Sequence, residues 1–141
     1  MPEVSAAEWG QWLAQFPDVH ILQTANWGAL KESFGWDPVR IIAESPGAGP
    51  MGAQILFRKL PFGMQMAYIA KGPVGAQGEL PPYSPAWKDL WQEVDAMCRQ
   101  RRAVFLKVEP DLWQVEPAEQ PPSYQGFKLA GHSIQPLRTI L

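Results

Sequence analysis

The sequence predicts a mixed α/β domain in which helices flank a mixed sheet that contains an antiparallel meander. Segments with helical spacing of apolar residues lie on both sides of three consecutive β-prone segments, which are joined by short turns. A nearly continuous apolar run, Ala103 to Val108, follows the longest helical segment and is typical of a central strand. The predicted order is β-α-α-β-β-β-α-β, followed by a loop and a final strand.

The first helix is predicted over residues 5–16. Ser5 and Glu8 form an S-x-x-E capping box, which is a signature of a helix N-terminus. Large apolar side chains then repeat at helical spacing until Pro17, namely Trp9, Trp12, Leu13 and Phe16. Val19 to Leu22 is short and β-prone, and we predict a strand there.

A second helix is predicted over residues 25–34. Thr24 is a suitable N-cap residue, and Gly35 stands where a helix often ends in a left-handed residue. Within the helix, Trp27, Leu30 and Phe34 fall on one stripe. The interpretation that the pattern favours places Trp27 and Phe34 in the core.

Lys31 and Trp36 are the first candidate ligand-binding residues. Lys31 lies beside the apolar stripe of the second helix, and Trp36 follows the helix exit. A cation and an aromatic plate in this arrangement could form one wall of a cleft for a polar ligand. The alternative, which the pattern alone favours, is that Lys31 extends along apolar surface and Trp36 covers the edge of the core.

Three strands are predicted at residues 39–43, 53–60 and 65–70, with a turn at 61–63 between the last two. Short connections predict an antiparallel meander. The third strand runs into a glycine-rich exit loop, residues 71–75, which lacks the spacing of a nucleotide-binding P-loop. Tyr68 and Lys71 flank the end of this strand and could supply a hydroxyl and a cation, or could equally be surface residues.

The second half of the chain contains the longest predicted helix, residues 85–101, with Ser84 as N-cap and Pro85 at its first position. Glu109 ends the apolar strand that follows. Because ligands tend to bind outside the carboxyl ends of such strands, Glu109 is a candidate site residue, and the alternative role is to cap the next turn. Residues 111–126 are predicted as a loop and residues 127–141 as a weak strand.

Composition excludes several classes of function. The 141 residues carry a net charge of −2, which gives no global reason to expect nucleic-acid binding. A single cysteine, Cys98, excludes an internal disulfide and a cysteine-rich zinc site, and its helical position predicts a structural thiol. No metal site is predicted, since the two histidines lack HExxH spacing. The sequence shows no secretory signal and no apolar run of membrane-spanning length.

The order of elements resembles that of the GNAT acyltransferase fold up to its fifth strand. Several stretches in order also resemble signatures of the FemABX family of peptidoglycan-bridge aminoacyltransferases: HILQTANWGALKESFGW, RII, AQILFRKLP, MAYIAKGPVG, FLKVEP, and GF followed by IQPLRTIL. The resemblance covers about residues 9–141. It implies transfer of amino acids from aminoacyl-tRNA to the stem-peptide branch of peptidoglycan precursors, in cell-wall biogenesis and the maintenance of cell shape.

The same resemblance implies roles for individual residues. Lys31 and Trp36 would contact the phosphate and sugar of a UDP- or lipid-linked muropeptide, and Tyr68, Lys71 and Gly72 would line the same cleft. Glu109 would be the catalytic residue, a proton acceptor near the reacting amine, where the family more often has aspartate. The resemblance implies no bound cofactor. Aminoacyl-tRNA would be the co-substrate, and the location would be the cytoplasm, at or near the inner face of the membrane.

Family members usually contain two GNAT-like domains in tandem, and residues 1–141 resemble the first of them. The isolated chain is therefore expected to lack the second domain, to be inactive alone, and to expose an apolar edge near residues 127–141 through which it could form a homodimer. Two other functions stay open at this point: a coenzyme A-dependent N-acyltransferase, and a non-catalytic interaction domain. The coenzyme A pyrophosphate motif of GNAT enzymes is absent from the sequence.

Overall fold

The computed structural model describes residues 3–45, 49–75 and 87–109. These residues form a six-stranded sheet with helices on both faces. The elements in chain order are β1 (Glu3–Val4), α1 (Ala6–Leu13), α2 (Ala25–Glu32), β2 (Trp36–Ser45), β3 (Gly49–Lys59), β4 (Gln65–Ala70), β5 (Val74–Gly75), α3 (Lys88–Gln100) and β6 (Ala103–Glu109).

The sheet is mixed, as the sequence predicts. Its strands are ordered β1-β2-β3-β4-β6, and the short β5 pairs with β3 beside this path. Strands β2, β3 and β4 pair antiparallel, which confirms the meander, whereas β6 pairs parallel to β4. Among the described residues, β6 pairs with one strand, β4. A central strand has a neighbour on each side, so the predicted central position of β6 stays a prediction.

The predicted element order is confirmed except for two strands. The short β5 is an additional strand, and the first strand is formed by a different segment. Glu3–Val4 forms that strand, and the prediction of a strand at residues 19–22 is wrong. Ile21–Gln23 is a 3-10 turn instead. His20 Nδ1 accepts a hydrogen bond from the backbone N–H of Leu22 at 3.1 Å, and the Thr24 hydroxyl donates to the carbonyl of Ile21 at 2.7 Å. These local side-chain bonds offer the backbone an alternative to strand pairing.

Both N-terminal helices begin where the sequence predicts. The Ser5 hydroxyl accepts from the Glu8 backbone N–H at 3.2 Å, and the Glu8 carboxylate accepts from the Ser5 N–H at 2.7 Å. These bonds complete the capping box and lower the pKa of the Glu8 carboxyl. The Thr24 hydroxyl caps α2 by accepting from the Trp27 N–H at 3.3 Å.

Helix α2 is shorter than predicted. It ends at Glu32, and Gly35 has the expected positive φ of 92°. Phe34 therefore lies beyond the helix and is 67% exposed, and Leu30 is 48% exposed. The prediction that Phe34 belongs to the core is wrong, whereas Trp27 is half-buried against the sheet.

The main core lies between the sheet and α3. Val39, Ile41 and Ala43 alternate along β2 and point into this core. Trp87, Leu90, Val94 and Met97 of the α3 segment are buried against this face, and Trp91 is partly buried there. The predicted N-cap Ser84, Pro85, the loop at 111–126 and the strand at 127–141 lie outside the described residues.

Helices α1 and α2 cover the opposite face of the sheet. Trp9 of α1 lies against Gly52 of β3, where a Cβ atom would stand 2.7 Å from the indole ring. A second, smaller cluster forms beside α2, made of Leu22, Leu56, Tyr68 and Ala70 with Trp27 and Trp36 packed against it. None of the helices in the described ranges has the length and apolar character that a bilayer crossing requires.

Candidate functional site

The parallel pair β4–β6 brings two predicted site residues into contact. Its register sets Tyr68 beside Lys107 and Ala70 beside Glu109, on the sheet face that α2 covers. The Tyr68 hydroxyl donates to Glu109 Oε2 at 2.9 Å, and Lys107 Nζ lies 3.8 Å from Glu109 Oε1. The Glu109 side chain is only 12% exposed. The site thus holds a largely buried carboxylate between a phenol and an ammonium group.

The exit loop of β4 adjoins the same carboxyl end of β6. The backbone N–H of Lys71 donates to the carbonyl of Glu109 at 2.6 Å, and Lys71 has a left-handed φ of 55°. Gly72 follows, buried, with a cis peptide bond to Pro73. Four predicted residues, Tyr68, Lys71, Gly72 and Glu109, therefore lie together at one edge of the sheet.

Trp36 is adjacent to this group through Tyr68. The two ring centroids are 6.3 Å apart at an interplanar angle of 51°. On β3, Arg58 stands opposite Trp36 in the strand register, and its guanidinium carbon lies 5.4 Å from the Trp36 ring centroid. A cation over an indole ring is an attractive contact. Arg58 was not predicted as a site residue. The antiparallel pairing of β2 with β3 is the signal that could have identified it, because this pairing sets Arg58 opposite Trp36.

Lys31 lies on α2 beside Trp27. Its ammonium nitrogen is 5.0 Å from the centroid of the Trp27 ring, and Trp27 in turn packs on the cluster that contains Tyr68 and Trp36. Lys31 is thus on the side of the sheet that carries the other candidate residues. Its sharing of one cleft with Lys71 and Gly72 stays a prediction.

A buried polar network, which sequence reasoning missed, lies under α2. It consists of Gln23, Gln54 and Arg40, which are 0%, 1% and 9% exposed. Arg40 Nε donates to Gln54 Oε1 at 2.9 Å, and Gln54 Nε2 donates to the carbonyl of Thr24 at 2.9 Å. Burial lowers the pKa of the Arg40 guanidinium, and the carboxylates of Glu32 and Asp37 offset part of this shift.

Two open depressions occur in the described part of the surface. The larger has a volume of about 470 Å³ and includes Trp36, Arg58, Glu32 and Asp37 in its wall. The smaller, about 300 Å³, lies between α1 and α2. Trp36 is the one predicted site residue that lines either of these two depressions. Because Arg58 lines the larger depression together with Trp36, this depression extends the candidate site toward Arg58.

The remaining candidate chemistry has structural explanations. Cys98 is buried on α3, and desolvation, with a smaller contribution from Asp95, raises the pKa of its thiol to about 11, which agrees with the predicted structural role. Two arginines at the C-terminal end of α3 form ion pairs, Arg99 with Asp95 at 2.9 Å and Arg101 with Asp37. Within residues 3–45, 49–75 and 87–109, no group of three or more metal-ligating side chains occurs.

Comparison with known proteins gives three findings. The model of the FemAB family matches residues 4–124. The crystal structure of FemX superposes with a TM-score of 0.62 at 26% sequence identity, covering 79% of this chain and 28% of the FemX chain. A crystal structure of a probable acetyltransferase gives a TM-score of 0.47 at 14% identity, covering 96% of this chain and 89% of that one. No curated protein sequence matches.

Proposed function

The chain belongs to the FemAB family, and from this premise we propose that it binds the muropeptide precursor within a tRNA-dependent aminoacyltransferase of peptidoglycan cross-bridge synthesis. The family match over residues 4–124 is the observation that carries the proposal. The chain spans 28% of the length of FemX, so the complete reaction belongs to a longer assembly in this proposal.

The arrangement of the candidate residues supports binding of a phosphorylated, sugar-containing peptide. Lys31 supplies a positive charge for phosphate, and the half-buried Trp36 supplies an aromatic face for the sugar. Arg58, whose guanidinium group lies over the same Trp36 ring, adds a second cation to this side. Gly72 lets the exit loop pack against Gln23 beside these residues, because a Cβ atom there would lie 2.8 Å from Gln23 Cδ.

The reaction in this proposal is attack of a stem-peptide amine on the aminoacyl ester of tRNA. A bond forms between the amine nitrogen and the acyl carbon, and the amine loses a proton. The ester C–O bond breaks, and the ribose oxygen of the tRNA takes up a proton and leaves as a hydroxyl group. In this proposal Glu109 accepts that proton, or holds the ammonium form of the amine before reaction, and the position of its carboxylate at the strand end supports this role. Positioning supplies much of the rate, since the ester is already activated.

Isothermal titration calorimetry tests this proposal. The expected result is saturable binding of a UDP-linked muropeptide and no binding of acetyl-coenzyme A. Binding of acetyl-coenzyme A alone would instead indicate a coenzyme A-dependent acyltransferase. Binding of neither would contradict precursor binding by this domain and favour a non-catalytic interaction domain.

We predict that Lys31→Ala weakens binding of the UDP-linked muropeptide at least tenfold, because a charge-assisted contact with phosphate contributes about 1.5–3 kcal/mol. The free energy of unfolding should fall by less than about 1 kcal/mol, since the substitution removes a surface contact with the Trp27 ring. Calorimetry and denaturant unfolding measure the two quantities.

Lys88→Ala is the matched control for Lys31→Ala. Lys88 is an exposed lysine of α3, on the opposite face of the sheet, so its removal changes the net charge equally. Binding should be unaffected by this control. Equal weakening by both variants would mean that Lys31 acts only through net charge and does not contact the ligand.

A further inference from the structure

The hydrogen-bond ladder between β3 and β4 opens at one defined point. The two strands pair from Leu56 with Tyr68 to Lys59 with Gln65. The same register continued by two residues would set Gln54 opposite Ala70. The backbone groups of these two residues are instead joined through the side chain of Gln23.

The side-chain amide of Gln23 lies where the backbone hydrogen bonds between Gln54 and Ala70 would otherwise form. Its Nε2 donates to the carbonyl of Ala70 at 2.7 Å and to that of Gln54 at 3.3 Å. Its Oε1 accepts from the backbone N–H of Gln54 at 2.9 Å. Because Gln23 is 0% exposed, these bonds satisfy peptide groups that no water reaches. The inserted amide also keeps β4 apart from β3 where β4 ends.

Gln23 is held in turn by the N-terminal helices. Its own carbonyl accepts from Trp9 Nε1 at 2.7 Å. The next residue, Thr24, caps α2, and its carbonyl accepts from Gln54 Nε2 at 2.9 Å. The position of the amide between the strands is therefore tied to the position of α1 and α2.

The exit loop of β4 packs directly on this amide. A Cβ atom on Gly72 would lie 2.8 Å from Gln23 Cδ, so the loop reaches its place only because residue 72 has no side chain. The preceding residue, Lys71, bonds the backbone of Glu109 at 2.6 Å. A change at Gln23 is thus transmitted to the segment that carries the candidate site.

We propose that Gln23 is a positioning residue, which separates β4 from β3 and sets where the Lys71–Gly72 segment and Glu109 stand relative to α2. Its role in ligand binding rests on the proposed function, whereas its effect on the loop does not. Gln23, which is buried and does not contact the ligand, thus controls the distance between two walls of the site. One wall is α2 with Lys31, and the other is the Lys71–Gly72 segment with Glu109.

Amide hydrogen exchange of Gln23→Met tests the effect on the loop. Methionine has a similar size but cannot bond the Gln54 and Ala70 peptide groups. The Gln54 and Lys71 amides should exchange at least tenfold faster relative to the amide of Phe57, within the meander. Val94→Ala, on the other face of the sheet, controls for general destabilisation and should not change this ratio. An unchanged ratio in Gln23→Met would overturn the proposal.

Gln23→Glu provides a second test that does not require the methionine variant to fold. A protonated glutamate can still donate to one carbonyl and accept from the Gln54 N–H, whereas the ionised form places negative charge against two carbonyl oxygens. Burial and these carbonyls should raise the pKa of the introduced carboxyl. The melting temperature of Gln23→Glu should therefore rise toward that of the wild type as pH falls, relative to Gln23→Met. Parallel behaviour of the two variants at every pH would count against the hydrogen-bonding role.

Ligand titrations separate this proposal from the proposed function. In the wild type, UDP would contact only the wall formed by α2 and Lys31. The UDP-linked muropeptide would contact that wall and also the wall formed by the Lys71–Gly72 segment and Glu109. Gln23→Met should weaken muropeptide binding at least tenfold and UDP binding less than threefold. Equal losses for both ligands would contradict a positioning role. A wild-type chain that binds no muropeptide would contradict the proposed function, and the exchange measurement would still decide the role of Gln23.

Discussion

Trp9→Ala is expected to lower the free energy of unfolding by about 3–5 kcal/mol, the range for removing a fully buried tryptophan. The Trp9 side chain is 0% exposed, and its ring centroid lies 5.1 Å from that of Trp12. Its indole N–H also donates a hydrogen bond to the carbonyl of Gln23. The substitution therefore leaves both a cavity and a buried carbonyl that lacks this donor. Denaturant unfolding should show the loss as a lower midpoint.

Two further variants serve as comparisons for Trp9→Ala. Trp9→Phe keeps an aromatic ring but no donor, and should lose less than Trp9→Ala. Phe34→Ala removes an aromatic ring that is 67% exposed and should change stability by less than about 0.5 kcal/mol. Similar small losses for Trp9→Ala and Phe34→Ala would mean that α1 is not part of the cooperative fold.

Gly28→Ala is expected to destabilise the protein by about 2–3 kcal/mol, although alanine is the better helix former. A Cβ atom on Gly28 would lie 2.5 Å from Gln54 Oε1 and 2.7 Å from Arg40 Nη2. These two side chains are buried and bonded to each other, so they cannot move away without loss of that bond. Either α2 shifts off the sheet or the Arg40–Gln54 contact breaks.

Gly10→Ala is the matched control, because Gly10 is also a helical glycine but has no atom within 4 Å of its Cβ position. Helix propensity should make this variant more stable by up to about 1 kcal/mol. Thermal unfolding of the two variants should therefore show shifts of opposite sign. A stabilising effect at both positions would refute the close packing of α2 on Arg40 and Gln54.

The sequence predicts the fold well where signals are local. The capping box of Ser5 and Glu8, the Thr24 cap and the alternation of Val39, Ile41 and Ala43 each involve residues a few positions apart, and the structure confirms them. Short turns between strands likewise limit the meander to antiparallel pairing. Such patterns act within one or two turns of chain and need no knowledge of tertiary contacts.

The errors arise where a local pattern competes with a side-chain contact or a helix end. The β-prone residues 19–22 form no strand, and Ile21–Gln23 is a 3-10 turn, because the His20 and Thr24 side chains bond the adjacent backbone. Phe34 was assigned to a helical stripe, but α2 ends at Glu32 after two turns, which removes Phe34 from that face. In the first case the kind of element differs from the prediction, and in the second the helix is shorter than predicted.

The candidate site was predictable only in part. Tyr68, Lys71 and Glu109 are candidates because they lie at strand ends, and Gly72 is a candidate because of the family resemblance. The proximity of the four follows from the parallel pairing of β4 and β6. Gln23 could not be found in this way, because its amide bonds residues 31 and 47 positions away and glutamine carries no pattern of its own. A buried polar side chain becomes informative only when its partners are known.

The parallel pairing of β4 and β6 also affects the order in which the chain folds. The turns of the meander close short loops, whereas the Tyr68–Glu109 contact spans 41 positions and needs α3 to form between them. Long-range parallel pairing is slow because loop-closure entropy is lost before the contact forms. The core beneath the meander can therefore form early on the folding pathway, and the carboxylate reaches its tyrosine partner at a late step.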